Sequence, residues 1–126
     1  MNNYPLLSLL IVLALTLPHT IAAQQQVIIE GRLVDSKCFL SMQEDDNNHM
    51  GMGECGTMCL RMGQPAALVT TDNTFHTIIA PSSDLASHVG HTMRVTGTLH
   101  NGAIMAIKVE MNTDGDWTEV KLNAMM

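Results

Sequence analysis

The feature that most constrains this chain is a pair of alternating segments joined by Asn101-Gly102. From Thr92 to His100, Met93, Val95, Gly97 and Leu99 share one face, and Arg94, Thr96 and Thr98 share the other. Alternation with a period of two marks a strand half buried against a core. Ala103 to Met111 then answers as the partner strand. Asn-Gly suits the tight turn between them because both residues accept positive φ, and the twist of that turn matches the twist of paired strands. This hairpin sets the fold class as mainly β.

The remaining elements follow from similar signals. Gln26 to Asp35 is β-branched and alternating, with Gly31 marking a bulge or bend. Ala66 to Thr71 and Thr74 to Ala80 read as strands joined through Asp72-Asn73. Asp114-Gly115-Asp116 makes a turn before a last strand from Trp117 to Leu122. Glu54 to Met62 predicts a short helix, ended by Gly63 with Pro65 just beyond. The cluster Ser82-Ser83-Asp84 opens a helical turn toward His88, closed by Gly90. Cys38 to Gly53 is polar, rich in Asn, Asp and Met, and reads as a loop. Together these predict a small five- or six-stranded OB-like barrel with one or two short helices. Closure of such a barrel buries both sheet edges. A small open sheet packed on the helix is the alternative architecture.

The first residues have a different character. Leu6 to Leu17 is an apolar run interrupted only by Ser8 and Thr16. It is too short for a mature membrane span but suits the core of a secretory signal peptide. Pro18 follows, then the small residues Thr20, Ala22 and Ala23. Residues 1–23 are therefore read as a signal peptide, although Met1-Asn2-Asn3-Tyr4-Pro5 carries no Lys or Arg. Residues 24–126 then form a single small domain, expected to be periplasmic or secreted. No second apolar run is long enough to span a bilayer, so no membrane anchor is expected after cleavage.

Twelve acidic residues against six basic ones give a formal charge of −6. An acidic chain without a basic run is a poor nucleic-acid binder, so no nucleic-acid partner is expected. Weak attraction of cations follows more naturally.

All three cysteines fall between Asp35 and Gly63. Cys55 and Cys59, four residues apart, share one face of a helix. Cys38 follows the first strand and can approach that face across the loop, which carries His49. Cys38, His49, Cys55 and Cys59 make a tetrahedral set of soft and borderline donors, suited to zinc or copper(I). The set departs from a standard zinc finger in its long gap from Cys38 to Cys55. The spacing is neither C-x-x-C nor C-x-x-C-H, which disfavours thioredoxin-type redox chemistry and covalent haem attachment. The alternative is a disulfide from Cys38 to Cys55 or Cys59, making a disulfide-stapled binding or accessory module without metal. Closing a loop of about seventeen residues would stabilise by roughly 3 kcal/mol. One odd cysteine is left over. A thiol enzyme or redox sensor using that cysteine is a third reading.

Eleven methionines are many for such a chain. Met50 and Met52, in His49-Met50-Gly51-Met52, are possible additional ligands, because exported copper(I) binders use thioethers and imidazoles. Met58 and Met62, on the cysteine helix, are expected to be core filler. His76, His88, His91 and His100 are expected to be surface or capping residues. Catalysis finds little support, since no nucleophile elbow accompanies Ser36. A metal ion is the expected partner, with another exported protein as a further candidate.

The D-S-x-C pattern of Asp35-Ser36-Lys37-Cys38, then His49, then Cys55-x-x-x-Cys59 and Gly63, resembles a group of small secreted bacterial OB-like proteins of unassigned function. Leu85-Ala86-Ser87-His88-Val89-Gly90 and Met93-Arg94-Val95-Thr96-Gly97-Thr98 extend the likeness. The resemblance implies a secreted OB-like domain and no particular activity. If the group's Cys and His form a site, the matching positions are Cys38, His49, Cys55 and Cys59. A looser likeness, without a shared ligand motif, is to small periplasmic copper-binding OB domains.

Overall fold

The computed structural model describes residues 24–43, 47–48 and 53–123. The signal-peptide reading of residues 1–23 lies outside the described residues. The chain runs β1 (Gln25–Asp35), α1 (Ser36–Met42), α2 (Cys55–Arg61), β2 (Ala66–Val69), β3 (Phe75–Ile79), α3 (Ser82–Leu85), a 3-10 turn (Ala86–His88), β4 (Thr92–His100), β5 (Ala103–Thr113) and β6 (Asp116–Val120). The strands are ordered β3-β2-β1-β4-β5-β6, and a further parallel pairing of β3 with β5 closes the first five into a barrel. This is the expected OB-like barrel, with β6 added along β5.

The alternating faces seen in the sequence point where they should. Leu33, Leu68, Ile78, Met93, Val95, Ile104, Ala106 and Val109 fill the barrel. Leu60 from α2, Leu85 from α3 and Val89 join the same core, so the helices cover one end of the barrel. A second cluster, Val34, Phe39, Ala67 and Val69, lies between α1 and the sheet. Leu33 and Val34 are neighbours in β1 and belong to different clusters, as successive strand residues must.

Two glycines allow the barrel to bend. Just past Gly31, at Arg32, β1 passes from pairing with β4 to pairing with β2, without a break in register against β4. A Cβ there would sit 2.6 Å from the Val69 carbonyl oxygen. Gly31 is thus a bend made possible by close backbone approach. The bulge lies elsewhere: Thr96 pairs with Lys108 but Gly97 pairs with Ala106, leaving Ile107 as the extra residue of β5. Bulges of this kind sharpen local twist and help a sheet to curl.

An ion-pair ladder crosses the outer face. The Arg94 Nε donates to Glu110 Oε2 at 3.0 Å, and the Lys108 ammonium donates to Glu110 Oε1 at 2.7 Å. The Arg94 guanidinium also covers the Trp117 ring at 4.3 Å, tying β6 to β4. The hydrogen bond from Arg94, then that from Lys108, holds the Glu110 pKa down to about 2. A lowered carboxylate pKa contributes stability that is fully present above the unfolded value of about 4.3 and is lost as pH falls toward 2. Denaturant midpoints measured from pH 6 to pH 2.5 should therefore fall less steeply for Glu110→Gln than for the wild-type protein.

Candidate metal centre

Asp35 ends β1 and caps α1. The Cys38 backbone N–H donates to Asp35 Oδ1 at 2.9 Å, meeting one of the donors that the first turn of a helix leaves open. Phe39 then anchors α1, packing on the second cluster and stacking on Phe75 with ring centroids 5.8 Å apart. Residues 38–42 are thus helical, where the composition reads as loop. Leu40 and Met42 are exposed on this helix, so no apolar stripe of helical period announces it.

α2 is held by a remote residue. Glu54, at its N-terminal boundary, has φ of 61° and makes no side-chain cap. Asn47 supplies the missing partner: the Thr57 N–H donates to Asn47 Oδ1 at 2.8 Å, and Asn47 Nδ2 donates to Thr57 Oγ1 at 2.9 Å. The Thr57 hydroxyl donates in turn to the Ala86 carbonyl at 2.8 Å, fastening α2 to the 3-10 turn. Gly56 completes the fit. A Cβ there would meet Val89 Cγ1 at 2.6 Å and Asp35 Oδ2 at 3.3 Å, so only glycine lets α2 lie this close to the end of β1.

These anchors bring the sulfurs together. The Sγ atoms of Cys38, Cys55 and Cys59 all lie within 4.8 Å of one another. Cys38 and Cys59 are buried and Cys55 is half-buried. Zinc–thiolate bonds of about 2.3 Å place sulfurs of a tetrahedral site about 3.8 Å apart, so small side-chain rotations would complete such a site. All three are free thiols, and the disulfide staple is not formed. With three sulfurs converging, any one S–S bond would leave a third thiol packed against it.

Burial raises the Cys38 pKa to about 12, with further contributions from a hydrogen bond to Asp35 and from its negative charge. Burial and Asp35 also raise Cys59, and a hydrogen bond from Cys38 partly offsets this. Thiols so raised, Cys38 and Cys59, are poor nucleophiles at neutral pH. A bound cation would reverse the balance by stabilising thiolates.

His49, Met50 and Met52 lie outside the described residues. Met58 on α2 and Met62 at its C-terminal cap, read as core filler, are both exposed. His100 ends β4 and is exposed, as expected, whereas His76 on β3 is half-buried, with its Nδ1 out of contact with solvent. His88 is not simply a surface residue: its Nδ1 is 3.3 Å from Met111 Sδ. Sequence reasoning missed three partners here. Asp35 was findable, since an Asp directly before a helix is a capping signal. Asn47 and Met111 were not, because each acts across a long stretch of chain.

No protein family, curated protein or solved structure matches this chain.

Asp35 invites a direct test. Asp35→Ala should lose about 1 kcal/mol with the cap. Asp35→Asn, an equally good cap, should keep the denaturant midpoint near wild type. Because it also removes the negative charge, it should lower the Cys38 pKa, measured as faster alkylation across a pH series.

Proposed function

We propose that this chain is an exported domain that holds one soft metal ion, copper(I) or zinc, through Cys38, Cys55 and Cys59, with His49 as the fourth ligand. The convergence of three sulfurs within 4.8 Å at the end of the barrel carries this reading. Two helices that are each separately anchored deliver those sulfurs, so the cluster is built by the fold. His49 is two residues along the chain from Asn47, whose side chain is bonded to α2. Its imidazole would complete a Cys3His set, which suits both metals. Met50 and Met52 would contribute thioethers around copper(I). Residues 1–23 supply the export signal in this proposal, placing the domain in the periplasm or outside the cell. The likeness to small secreted OB-like proteins belongs to the same proposal.

Native mass spectrometry with thiol counting, on protein matured in an oxidising compartment, tests it. One metal ion per chain, absent from Cys55→Ser/Cys59→Ser, is the expected result. A loss of two protons with no bound metal would overturn it in favour of a disulfide-stapled module.

A further inference from the structure

We propose that His88 and Met111, with His91 as a third arm, form a second site for a monovalent soft cation, copper(I) or its analogue silver(I), separate from the sulfur cluster. The inference rests on the side chains that the barrel brings together at the edge of its core. His88 closes the 3-10 turn, Met111 lies in β5, and 23 residues separate them in the chain. The fold sets the imidazole Nδ1 3.3 Å from the thioether sulfur. With bonds as long as those of zinc, about 2.0 Å to an imidazole nitrogen and about 2.3 Å to sulfur, two donors of one bent site lie about 3.5 Å apart. The pair therefore needs only a slight opening to hold an ion between them.

His91 lies beside this pair. Its ring meets His88 edge-on, with centroids 6.5 Å apart and planes 76° apart. Its Nδ1 is 3.2 Å from the His88 carbonyl oxygen, which leaves Nε2 as the ring's other donor atom. His91 is exposed, so its ring is free to change rotamer beside His88. Met111 is only partly buried and pairs with Met93 on one side and Thr118 on the other. Met111 thus sits at the margin of the core, packed against it and not sealed within it.

The donor set selects the ion. A thioether and neutral imidazoles bring no negative charge, which disfavours magnesium and calcium and gives zinc little advantage. Soft monovalent ions accept such neutral ligands. The same geometry also permits a plain hydrogen bond, with Nδ1–H donating to sulfur in one tautomer. The other tautomer offers both lone pairs to a metal.

This site does not depend on the cysteine reading, and its test is arranged to keep the two apart. Silver(I) is added to the Cys38→Ser/Cys55→Ser/Cys59→Ser chain with 13C-labelled methionine methyls, and the Met111 signal is assigned by its loss in Met111→Leu. The expected result is a shift of the Met111 methyl that saturates at one ion per chain. His88→Asn should weaken this binding at least tenfold, and His91→Asn should weaken it less. An unmoved Met111 methyl, or a shift unaffected by His88→Asn, would overturn the proposal. If the cysteine-free chain does not fold, the same methyl is followed in the wild-type protein after silver has saturated its thiols. A Met111 shift must then appear in the wild type and vanish in His88→Asn, and any other pattern overturns the site.

Discussion

Cys59→Ser is expected to abolish stoichiometric metal retention, weakening zinc binding by more than about 100-fold. Loss of even an outer partner of a metal ligand typically costs 10–100-fold, and Cys59 would be a ligand itself. It is buried among the other two sulfurs, so no solvent-exposed group can easily take its place. A serine hydroxyl stays protonated at neutral pH and is a poor donor to a soft ion. Competition with a chromophoric chelator measures the loss. Met58→Ala, on the exposed face of the same helix, should leave the affinity unchanged and so controls for damage to α2. Proton release gives a second reading. The Cys38 thiol, raised to about 12, is protonated at neutral pH in the metal-free protein. Ligation requires thiolates, so zinc uptake should release protons, that of Cys38 among them, and affinity should rise with pH. Calorimetry in buffers of different ionisation enthalpy counts them. Zinc bound with equal affinity by Cys59→Ser, or uptake without proton release, would sink the thiolate site.

The barrel was legible because its signals are local. The Thr92–His100 alternation and the Asn101-Gly102 turn specify two strands, their register and their inward face within one short stretch. Gly63, with φ of 89°, ends α2 where the sequence predicts, because the chain there must turn through a left-handed conformation. The nearness of Cys55 to Cys59 was legible for the same reason, since helical spacing alone sets it. What brings Cys38 to them was not. That approach depends on the Asp35 cap, on Phe39 finding Phe75, on Asn47 bonding Thr57, and on the absence of a side chain at Gly56. Each is a tertiary contact, and none leaves a periodic trace. α1 illustrates the point. Its buried residues are few and its larger apolar ones include exposed Leu40 and Met42, so hydrophobic patterning misdirects where a cap and one aromatic anchor decide. The choice between bulge and bend stayed open at Gly31 for the same reason. Gly31 and Gly97 are both strand glycines demanded by close backbone approach, and only pairing shows that one marks a bend and the other a bulge.

Gly97→Ala should be the most destabilising conservative change in the barrel wall, at about 3 kcal/mol. The new Cβ would lie 2.2 Å from the Met105 carbonyl oxygen and 2.9 Å from Ile104 Cγ2. The first obstacle is backbone, and that backbone is already committed. Met105 pairs with Thr98 on one side and with Ile79, in the barrel-closing contact, on the other. Relief must therefore come from parting β4 and β5 at the bulge or from loosening the seam. For a domain of about a hundred residues, a loss of this size lowers the melting temperature on the order of 15 °C. Gly53→Ala is the matched control: among the described residues nothing lies within 4 Å of its added Cβ, so its effect should stay within about 0.5 kcal/mol. Gly97 is on β4, while the sulfurs are on α1 and α2, so the two predictions can be joined in one experiment. An ion that binds only the folded state stabilises it by about 4 kcal/mol at a thousand times its dissociation constant. Zinc should therefore restore most of the melting temperature lost by Gly97→Ala and restore none of it in Gly97→Ala/Cys59→Ser. Rescue of both would separate the stabilising ion from the sulfur cluster, and rescue of neither would mean that the barrel seam must be intact before α1 and α2 can present their sulfurs together.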